Sequence, residues 1–359
     1  MTTNFGTVRI VGAGLLGTSL GLALSKLGVD VAITSHSQKS VDLAIQYGAG
    51  RAALSGDDPS LIVVCVPPAK TAQIVADELS AFSNAIVTEV ASVKASILDE
   101  LVAAGADLAR YVGSHPMAGR ERGGAIAGRA DLFVGRPWVL CPAAATSAKA
   151  LELVAEVAKA VGAATVTVAA ADHDRAVALV SHVPQLVSSL LAAQLLTANQ
   201  QDISLAGQGL RDTTRIAASD ANLWLQILRA NEPEVLKVLK SFESDLHNLT
   251  SAIESGNDAT AADQIVKVLE AGNRGVERIP GKHGTKHTEY SQIVVMIDDK
   301  PGELARLLTE VGHIGVNLEE LKLEHSPSAQ IGLVELYVLP EAERKLIDDL
   351  VLRGWRIAG

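Results

Sequence analysis

The amino-acid sequence predicts an α/β protein with three domains, and three observations carry this prediction. In the first half, short β-branched runs alternate with amphipathic segments, which is the β-α-β rhythm of a parallel sheet. From Asp172 to about Asn273 the apolar residues recur with helical period, and almost no strand-like run interrupts them. Beyond residue 290 the order of elements is βαββαβ, which predicts a small ferredoxin-like domain. The predicted boundaries are 1–170, 171–275, a linker at 276–290, and 291–359.

Each strand-like run of the first domain precedes a turn or a helix signal. These runs are Val8–Val11, Val29–Thr34, Leu61–Val66, Ala85–Val90, Tyr111–Gly113, Trp138–Leu140 and Thr165–Val168. The last domain is predicted as strand 293–297, helix 301–313, strands 316–324 and 331–339, helix 341–352 and strand 355–358. The linker is basic, rich in Gly and Pro, and lacks periodicity.

Composition and charge exclude several classes of protein. With 48% apolar and 20% charged residues, the chain is packed rather than disordered. Its formal net charge is -10, so nucleic acid and anionic membranes are not expected partners, and an anionic substrate needs local cations. The two cysteines, Cys65 and Cys141, exclude a disulfide scaffold and a Cys-based metal site, and they favour a reducing cytoplasm.

Neither an export signal nor a membrane span is expected. Residues 1–6 run straight into the first strand and leave no room for a signal peptide. The most apolar stretch, Ala178–Leu196, contains Ser, His, Pro and Gln residues. We therefore expect it to form a buried helix rather than a spanning one.

A glycine pattern follows the first strand and opens a helix, which indicates a Rossmann-type dinucleotide-binding domain. Gly12 permits the tight turn, Gly14 lets the backbone approach a pyrophosphate, and Gly17 allows the helix to pack closely on the strand. The phosphates would lie at the helix N-terminus, beside Leu15 and Leu16. A nicotinamide dinucleotide or a flavin fits this pattern.

The residues after the second strand bear on the choice between NAD and NADP. An NAD site usually carries an acid there, but Asp30 lies too early in the strand. Ser35, His36 and Lys39 could instead hold a 2′-phosphate, which favours NADP. The alternative is a solvated loop that tolerates either cofactor. Further cofactor-binding candidates are Val66 and Pro67, at the end of the third strand-like run.

Two segments at strand ends are candidates for chemistry. His115 follows the run Tyr111–Gly113, is fixed by Pro116 and precedes a glycine-rich loop, so it is placed to act as a base in hydride transfer. Ser92 follows another strand, in the segment Glu89-Val-Ala-Ser-Val-Lys. The structural alternatives are a hydrogen-bonding histidine and a helix N-cap at Ser92.

The helical domain carries two pairs of polar residues at i,i+4 spacing, which places each pair on one helix face. Ser181 and Gln185 form one pair, with His182 beside them, and Arg211 and Arg215 form the other. Two arginines one turn apart offer forked recognition of carboxylates. The alternative is an exposed face with Asp212 as counter-ion.

Other histidines receive no site role. The run Asp172-His173-Asp174 has the residue types of a metal site, but at a strand-to-helix junction it is interpreted as an N-cap with dipole-matched acids. No metal is assigned. His283 and His287 of the linker are interpreted as solvated.

Together these segments resemble the prephenate/arogenate dehydrogenases of tyrosine biosynthesis over about the first 280 residues. The motifs are Gly12 to Gly17, Ser92-Val-Lys94, His115-Pro-Met-Ala-Gly119, Leu132-Phe133 with Trp138 to Pro142, Ser181-His-Val-Pro184 and Asp212-Thr-Thr-Arg215-Ile-Ala. The resemblance implies NAD(P)-linked oxidative decarboxylation of a cyclohexadienol carboxylate, and a homodimer built through the helical domain.

The resemblance also implies roles for individual residues. His115 would take the proton of the ring hydroxyl, Ser92 would help orient His115 or that hydroxyl, and Arg215 would clamp a substrate carboxylate. The remaining implied residues are Ser181 and His182, which line the pocket, and Glu121 with Arg211, which gate it.

Two departures from the family pattern are visible. Gln185 stands where many prephenate-specific members have a second histidine, and Glu89 replaces the more usual Asp. Prephenate is the first expectation because it is the commoner substrate of the family, and arogenate is the alternative.

The C-terminal domain resembles the ACT regulatory domain through its Asp-Lys-Pro-Gly-Glu-Leu turn and Gly315-Val-Asn317. Such domains bind amino acids, which implies feedback inhibition by tyrosine through Asp299, Gly302 and Asn317. The alternative is a dimerisation module without a ligand. For the whole chain, the remaining alternatives are a hydroxyacid dehydrogenase or imine reductase of similar plan, and a non-catalytic amino-acid or redox sensor.

Overall fold

The computed structural model describes residues 5–119, 123–256, 259–280, 290–325 and 331–358. Glu121, His283, His287 and most of the expected linker lie outside the described residues. The chain divides into two compact units, Met1–Ser244 and Asp245–Gly359. The division falls within a long helix, and each unit is described separately below.

The N-terminal unit is built on an eight-stranded sheet with the order β3-β2-β1-β4-β5-β6-β7-β8. The strands are β1 (Thr7–Val11), β2 (Asp30–Thr34), β3 (Arg51–Ala52), β4 (Leu61–Val64), β5 (Ile86–Glu89), β6 (Tyr111–Pro116), β7 (Pro137–Pro142) and β8 (Ala164–Thr167). The order of the first six is that of a Rossmann sheet, so the predicted fold class is confirmed.

Two features of this sheet depart from the prediction. The two-residue strand β3 was not expected, and β7 pairs with β6 in the antiparallel direction. A parallel neighbour requires a crossover connection, usually a helix. In the described part of the β6–β7 connection, the only helical element is the 3-10 turn Ala125–Ala127, so the chain returns antiparallel.

Helices cover both faces of the sheet, which explains why its central strands are apolar along their whole length. All four residues of β4 are buried, and so are all four of β5. One core cluster includes Ile10, Leu24 and Trp138, and a second includes Val64, Leu79 and Tyr111. The helices of this region are α1 (Leu15–Lys26), α2 (Gln38–Gln46), α3 (Pro68–Ala81), α4 (Ala95–Ala103) and α5 (Ala148–Ala160).

A helical region follows the sheet. Its helices are α6 (Ala170–Val177), α7 (Val183–Gln194), α8 (Gln200–Ile203), α9 (Gln208–Thr214), α10 (Ala221–Ala230) and α11 (Glu232–Glu254). A π-helical turn, Ala178–His182, joins α6 to α7. By length and composition alone, the run Ala170–Gln194 is apolar enough to span a membrane. In the folded chain, 33% of its most apolar window is buried.

The expectation of a buried helix at Ala178–Leu196 is therefore wrong for one of its faces. Val183, Gln185 and Ser188 are buried, but Leu190 is 61% exposed and Leu196 is 88% exposed. The helix packs one side against α10 and α11, where Leu186 and Val235 belong to a small apolar cluster, and presents the other side to solvent.

The C-terminal unit contains the end of α11, helix α12 (Ala259–Glu277) and a four-stranded antiparallel sheet of order β10-β11-β9-β12. The elements are β9 (Ser291–Asp298), α13 (Glu303–Ile314), β10 (Glu320–His325), β11 (Ile331–Val338), α14 (Pro340–Leu352) and β12 (Arg356–Ala358). The βαββαβ order is as predicted, and this strand order is that of a ferredoxin-like fold. Val295, Leu336 and Leu346 lie in its core.

Candidate active site

The turn between β1 and α1 has the geometry that a pyrophosphate requires. Gly12 has a φ of 113°, and a Cβ atom there would lie 2.2 Å from the carbonyl oxygen of Cys65. A Cβ on Gly17 would lie 1.9 Å from the carbonyl oxygen of Gly12. By contrast, a Cβ on Gly14 would meet no atom within 4 Å, so its backbone faces open space. The first-turn amides of α1, at Leu15 and Leu16, lie at this opening and can donate to an anion.

The end of β2 meets the glycine turn directly, because the amide of Gly12 donates to the carbonyl oxygen of Thr34 at 2.7 Å. Ser35 is half-buried here, while His36 and Lys39 are exposed. Asp30 lies at the other end of β2, where its carboxylate accepts two hydrogen bonds from Arg51 and one from Thr7. The Asp30 carboxylate therefore serves a structural ion pair.

The other expected cofactor-binding residues follow β4. Val66 lies against the glycine turn, with its Cγ1 atom 3.3 Å from the position of a Cβ on Gly12. Pro67 is exposed and caps α3. Both residues border the turn that the glycines open.

The main polar feature of the N-terminal unit is a chain of three buried side chains that begins at His115. The Nδ1 atom of His115 lies 2.9 Å from Nε2 of His173, and Nδ1 of His173 lies 2.7 Å from Oδ1 of Asp174. His115 is 9% exposed and His173 is 2% exposed. The two imidazole rings meet edge to face, at an interplanar angle of 71°. His115 Nε2 makes no hydrogen bond with any residue that the structure describes.

Asp174 connects this chain to helix α4. Its Oδ1 and Oδ2 atoms accept hydrogen bonds from the amides of Lys94 and Ala95, both at 2.8 Å, at the N-terminus of α4. The interpretation of Asp172-His173-Asp174 as a local N-cap is therefore wrong, because the N-cap of α6 is Ala169. Asp172 does lie in the first turn of α6, where it pairs with Arg175 at 2.7 Å, but Asp174 caps a different helix.

Ser92 is half-buried and is not the N-cap of α4, whose N-cap position belongs to Lys94. Among the described residues, no hydrogen bond joins the Ser92 side chain to His115. The structural alternative of an N-cap at Ser92 is thus wrong, because Asp174 satisfies the free amides of α4 instead.

A buried ion pair lies beneath His115. Lys94 Nζ donates to the Glu89 carboxylate and, at 2.7 Å, to the carbonyl oxygen of Ser114. The same carboxylate accepts from the amide of Ala91 at 2.7 Å and from the hydroxyl of Tyr111 at 3.1 Å. Burial and the negative charge of Glu89 raise the pKa of the Tyr111 hydroxyl well above its usual range.

Ser114 fixes the end of β6 immediately before His115. Its hydroxyl donates to the carbonyl oxygen of Glu89 at 2.7 Å and lies 3.1 Å from the donating Nε1 atom of Trp138. The amide of Met117 donates to Pro137 at 2.8 Å on the far side of the histidine. The backbone on both sides of His115 is therefore held by hydrogen bonds.

Electrostatics keep His115 neutral. Burial lowers its pKa well below the usual value, and repulsion from His173, Lys94 and His182 lowers it further. Burial also lowers the pKa of His182 to about 4, against an opposing effect of Asp174. A neutral imidazole can accept a proton, which a base must do.

The π-helical turn brings the next predicted residues toward this cluster, and such turns occur often at functional sites. His182 is buried, its Nδ1 atom lies 3.2 Å from the amide nitrogen of Asn231, and its ring meets Trp224 edge to face. Ser181 is half-buried. Gln185 is buried and donates to the hydroxyl of Ser219 at 2.8 Å.

The two arginines lie on consecutive helical elements. Arg211 lies on α9, which ends at Thr214, and Arg215 is the C-cap of α9 and begins the 3-10 turn Arg215–Ala217. Both side chains are exposed, and the turn that carries Arg215 packs against α7. Glu121 lies outside the described residues.

The expected regulatory residues lie in the C-terminal unit, on the two turns at opposite ends of α13. Gly302 has a φ of 92°, which favours glycine, and it forms the N-cap of α13. Asp299 and Asn317 are exposed, and the amide of Asn317 donates to Glu319 at 2.7 Å.

Oxidation of an alcohol by a dinucleotide requires a cofactor site and a base at the same sheet edge. Here the glycine turn follows the carboxyl end of β1, and His115 lies at the carboxyl end of β6, within one continuous sheet. Ligands of open α/β sheets bind at this edge. The fold and site define a dinucleotide-dependent dehydrogenase.

Comparison with known proteins gives the family. Residues 20–167 match the family described as prephenate dehydrogenase, nucleotide-binding domain, and residues 169–271 match prephenate dehydrogenase, dimerization domain. A probable prephenate dehydrogenase of Streptomyces niveus, NovF, is 36% identical, over 97% of this chain and 98% of the relative. A cyclohexadienyl dehydrogenase of Zymomonas mobilis is 30% identical, over 70% of this chain and 90% of the relative. The chain belongs to the prephenate dehydrogenase family and is an NAD(P)-dependent dehydrogenase.

Solved structures agree with this assignment. The prephenate dehydrogenase of A. aeolicus, in complex with hydroxyphenyl propionate and NAD+, is 26% identical with a TM-score of 0.69, and the match covers 78% of this chain and 100% of that one. The Synechocystis arogenate dehydrogenase is 27% identical with a TM-score of 0.63, and the match covers 76% and 99%. Both matches leave about a fifth to a quarter of this chain uncovered.

Three residues of the cluster were missed as functional candidates from the sequence: His173, Asp174 and Asn231. The run Asp172-His173-Asp174 was noticed, but its spacing gave no sign of a partner 58 positions earlier. Asn231 carried no signal, although its side chain donates to the carbonyl oxygen of Asp174 at 2.8 Å.

Proposed function

We propose that the chain catalyses the NAD(P)-dependent oxidative decarboxylation of prephenate to 4-hydroxyphenylpyruvate, a step of tyrosine biosynthesis. The observation that carries this proposal is His115, a buried neutral imidazole whose Nε2 atom has no partner among the described residues, at the edge where the glycine turn opens. Membership of the family supplies the substrate class.

The chemistry of the substrate explains what the base must do. The ring carries a hydroxyl on one carbon, and a carboxylate on the quaternary carbon opposite. A bound nicotinamide dinucleotide supplies the hydride acceptor. His115 Nε2 takes the hydroxyl proton while the carbon that bears the hydroxyl loses its hydride. The bond to the carboxylate then breaks, its electron pair enters the ring, and the ring oxygen takes the proton back from His115. Carbon dioxide leaves, and formation of the aromatic ring drives the step.

The substrate-binding roles remain as the family resemblance implies. Arg215 would clamp a carboxylate, Ser181 and His182 would line the pocket, and Arg211 would lie at its entrance. Ser92 would help orient His115 or the ring hydroxyl. Glu121 keeps its predicted gating role. The packing of the Arg215 turn against α7, which carries Gln185, supports a pocket in this region of the helical domain.

Arogenate is the alternative substrate. Prephenate ends in a keto acid and arogenate in an amino acid, so the residue that faces the side chain decides between them. Gln185 offers an amide, and its nitrogen is already bonded to Ser219. The likeness to a Synechocystis protein titled arogenate dehydrogenase keeps this alternative open.

NADP is the favoured cofactor within the NAD(P) class. The support is the end of β2, where Thr34 meets the glycine turn and where Ser35, His36 and Lys39 follow. Asp30 is occupied by Arg51 at the opposite end of the strand. A 2′-phosphate would therefore meet hydroxyls and two potential cations.

A homodimer built through the helical domain is the proposed assembly. The support is an apolar surface on the helices, together with the description of the matching family as a dimerization domain. The exposed apolar residues include Leu179, Val180, Leu190, Leu191, Leu196 and Leu205. A second copy would remove this surface from water.

The predicted domain limits and compartment belong to the same proposal. The first family match ends at residue 167 and the second begins at residue 169, close to the predicted boundary at 170. The second match ends at residue 271, close to the predicted boundary at 275. Cys65 and Cys141 are both free thiols, which fits the reducing cytoplasm.

Regulation by tyrosine through an ACT-like domain completes the proposal. The support is the ferredoxin-like order of the C-terminal sheet and the exposure of Asp299, Gly302 and Asn317 on the turns that flank α13. Tyrosine is the pathway product, so its binding would serve feedback inhibition.

The test is an assay of reduced-cofactor formation with prephenate and arogenate, each with NAD and with NADP, in the presence and absence of tyrosine. We expect the highest kcat/KM with prephenate and NADP, and a lower rate with tyrosine. A preference for arogenate would overturn only the proposed substrate, and a preference for NAD would overturn only the proposed cofactor. No turnover in any combination, from folded protein that binds dinucleotide, would overturn the proposed function and favour a hydroxyacid dehydrogenase or a sensor.

A further inference from the structure

We propose that His173 and Asp174 are positioning residues that hold His115 in the tautomer with its proton on Nδ1, so that Nε2 is the base. The inference deepens the proposed function and rests on it for the identity of the reaction. It concerns the run of three residues, Asp172-His173-Asp174, which local sequence patterns did not connect with catalysis.

The argument starts at Asp174, whose carboxylate acts only as an acceptor. Its two oxygens accept from the amides of Lys94 and Ala95 at 2.8 Å, so both act as acceptors, as the oxygens of a carboxylate do. A carboxylate has no proton to give. The hydrogen bond at 2.7 Å between Asp174 and His173 must therefore be donated by His173 Nδ1.

The tautomer of His173 then fixes that of His115. A neutral imidazole with its proton on Nδ1 has only a lone pair on Nε2. At 2.9 Å from His173 Nε2, the Nδ1 atom of His115 must be the donor of the hydrogen bond between the rings. A neutral His115 that carries its proton on Nδ1 has its lone pair on Nε2, the nitrogen that makes no hydrogen bond with the described residues.

The same arrangement serves His115 once it has taken a proton. Its Nδ1–H still donates to His173, and the negative charge of Asp174 lies beyond that ring. Because the cluster is buried, this charge acts through little water. The chain therefore orients the base before the reaction and keeps an acceptor for its Nδ1–H after the proton transfer, which is the orienting part of a catalytic triad.

His173 and Asp174 are themselves held rigidly, as residues that position a base must be. Asp174 joins α6 to the N-terminus of α4, and Asn231 donates to its backbone carbonyl oxygen at 2.8 Å. His173 is 2% exposed and Asp174 is 3% exposed. Neither side chain can turn away without leaving buried polar groups unpaired.

The experiment compares His173→Leu, which removes the acceptor, with His173→Gln, whose Oε1 atom can replace Nε2. Full-length protein is assayed with prephenate, and the matched controls are His247→Leu and Asp172→Asn, two exposed positions. For His173→Leu we expect kcat to fall by about 10²-fold or more, with substrate KM changed by less than about 3-fold. His173→Gln should recover at least about a tenth of the wild-type kcat, and the controls should match the wild type.

A spectroscopic measurement separates positioning from structural support. Histidine-labelled protein gives ring ¹⁵N shifts, and the signals of His115 are assigned with a His115→Asn variant. We expect a protonated Nδ1 and an unprotonated Nε2 in the wild type, and a gain of the Nε2–H tautomer in folded His173→Leu.

The outcomes are distinguishable. A wild-type His115 protonated on Nε2, or a His173→Leu enzyme with wild-type kcat, would overturn the inference. Equal losses in His173→Leu and His173→Gln, with unchanged His115 shifts, would also overturn it, because they indicate structural support alone. Absence of prephenate turnover with the expected His115 tautomer would overturn the proposed function and leave the positioning role supported.

Discussion

The two units of the chain differ in the burial of their charged groups. In the N-terminal unit, Glu89, Lys94, His173 and Asp174 are almost fully buried, and hydrogen bonds or ion pairs hold each of them. In the C-terminal unit, the charged groups of the corresponding candidate site lie at the surface. Asp298, for example, pairs with Lys300 at 3.0 Å while both side chains remain substantially exposed.

The difference follows from what each site is proposed to do. A base that must be neutral and aimed at one atom needs a rigid, water-poor environment, which buried partners provide. A regulatory site binds its ligand reversibly and needs only a turn of suitable shape, here formed at Gly302, together with exposed groups that can rearrange. The same contrast predicts which substitutions will be severe.

The largest effect is expected at His115. His115→Asn keeps an amide near Nδ1 that can still donate to His173 but removes the base at Nε2. We expect kcat to fall by about 10²- to 10⁴-fold, the usual contribution of general base catalysis, with dinucleotide Kd nearly unchanged. Steady-state kinetics and fluorescence titration with the reduced cofactor measure the two quantities. Wild-type kcat in this variant would remove His115 from the mechanism.

The next largest effect is expected on stability, at Lys94. Lys94→Met leaves the Glu89 carboxylate buried without its cation and removes a donor from the Ser114 carbonyl oxygen. We expect the free energy of unfolding to fall by about 3–5 kcal/mol, measured by urea denaturation. The control is Lys149→Met, at an exposed position of the same unit, which should stay within about 0.5 kcal/mol. Equal effects of the two variants would contradict the buried network.

The buried histidines should also make stability depend on pH. The pKa values of His115 and His182 are lowered in the folded protein, that of His182 to about 4, whereas in the unfolded chain both titrate near 6.5. Below pH 6.5 the unfolded state binds protons that the folded state does not, so the free energy of unfolding falls as pH decreases toward 4.

The expected slope is about 1.4 kcal/mol per pH unit for each histidine that stays neutral in the folded protein. Urea denaturation at successive pH values gives this slope, and the His115→Asn variant should show a shallower one. Identical slopes in the two proteins would mean that His115 is protonated while folded.

The smallest effect on stability is expected in the C-terminal unit. Asn317→Ala removes an exposed hydrogen bond to Glu319, so the free energy of unfolding should change by less than about 0.5 kcal/mol. Tyrosine binding, measured by calorimetry, should nevertheless weaken. An unchanged tyrosine Kd would exclude Asn317 from the regulatory site.

Local patterns predicted much of the fold and part of the site. The glycines after β1 and the apolar runs of β4 and β5 are determined by short-range geometry, and the βαββαβ order was readable for the same reason. His115 could be proposed because it directly follows a strand-like run.

Hydrogen bonds between residues far apart in the chain could not be predicted from the sequence. The bond between His115 and His173 joins residues 58 positions apart, and Asp174 caps a helix 79 positions earlier in the chain. Periodicity also did not show that a 3-10 turn follows α9 at Arg215, because the end of α9 depends on how the following turn packs. Such contacts depend on the tertiary fold, which brings distant segments of the chain together.

The most direct test of the central claim is the stoichiometry of prephenate turnover by the full-length chain. Carbon dioxide and reduced cofactor are measured in one reaction and compared with the same reaction of His115→Asn. The account predicts equal amounts of the two products from the wild type and a steep, parallel loss of both in the variant. Reduced cofactor without carbon dioxide, or undiminished formation of both by His115→Asn, would contradict it.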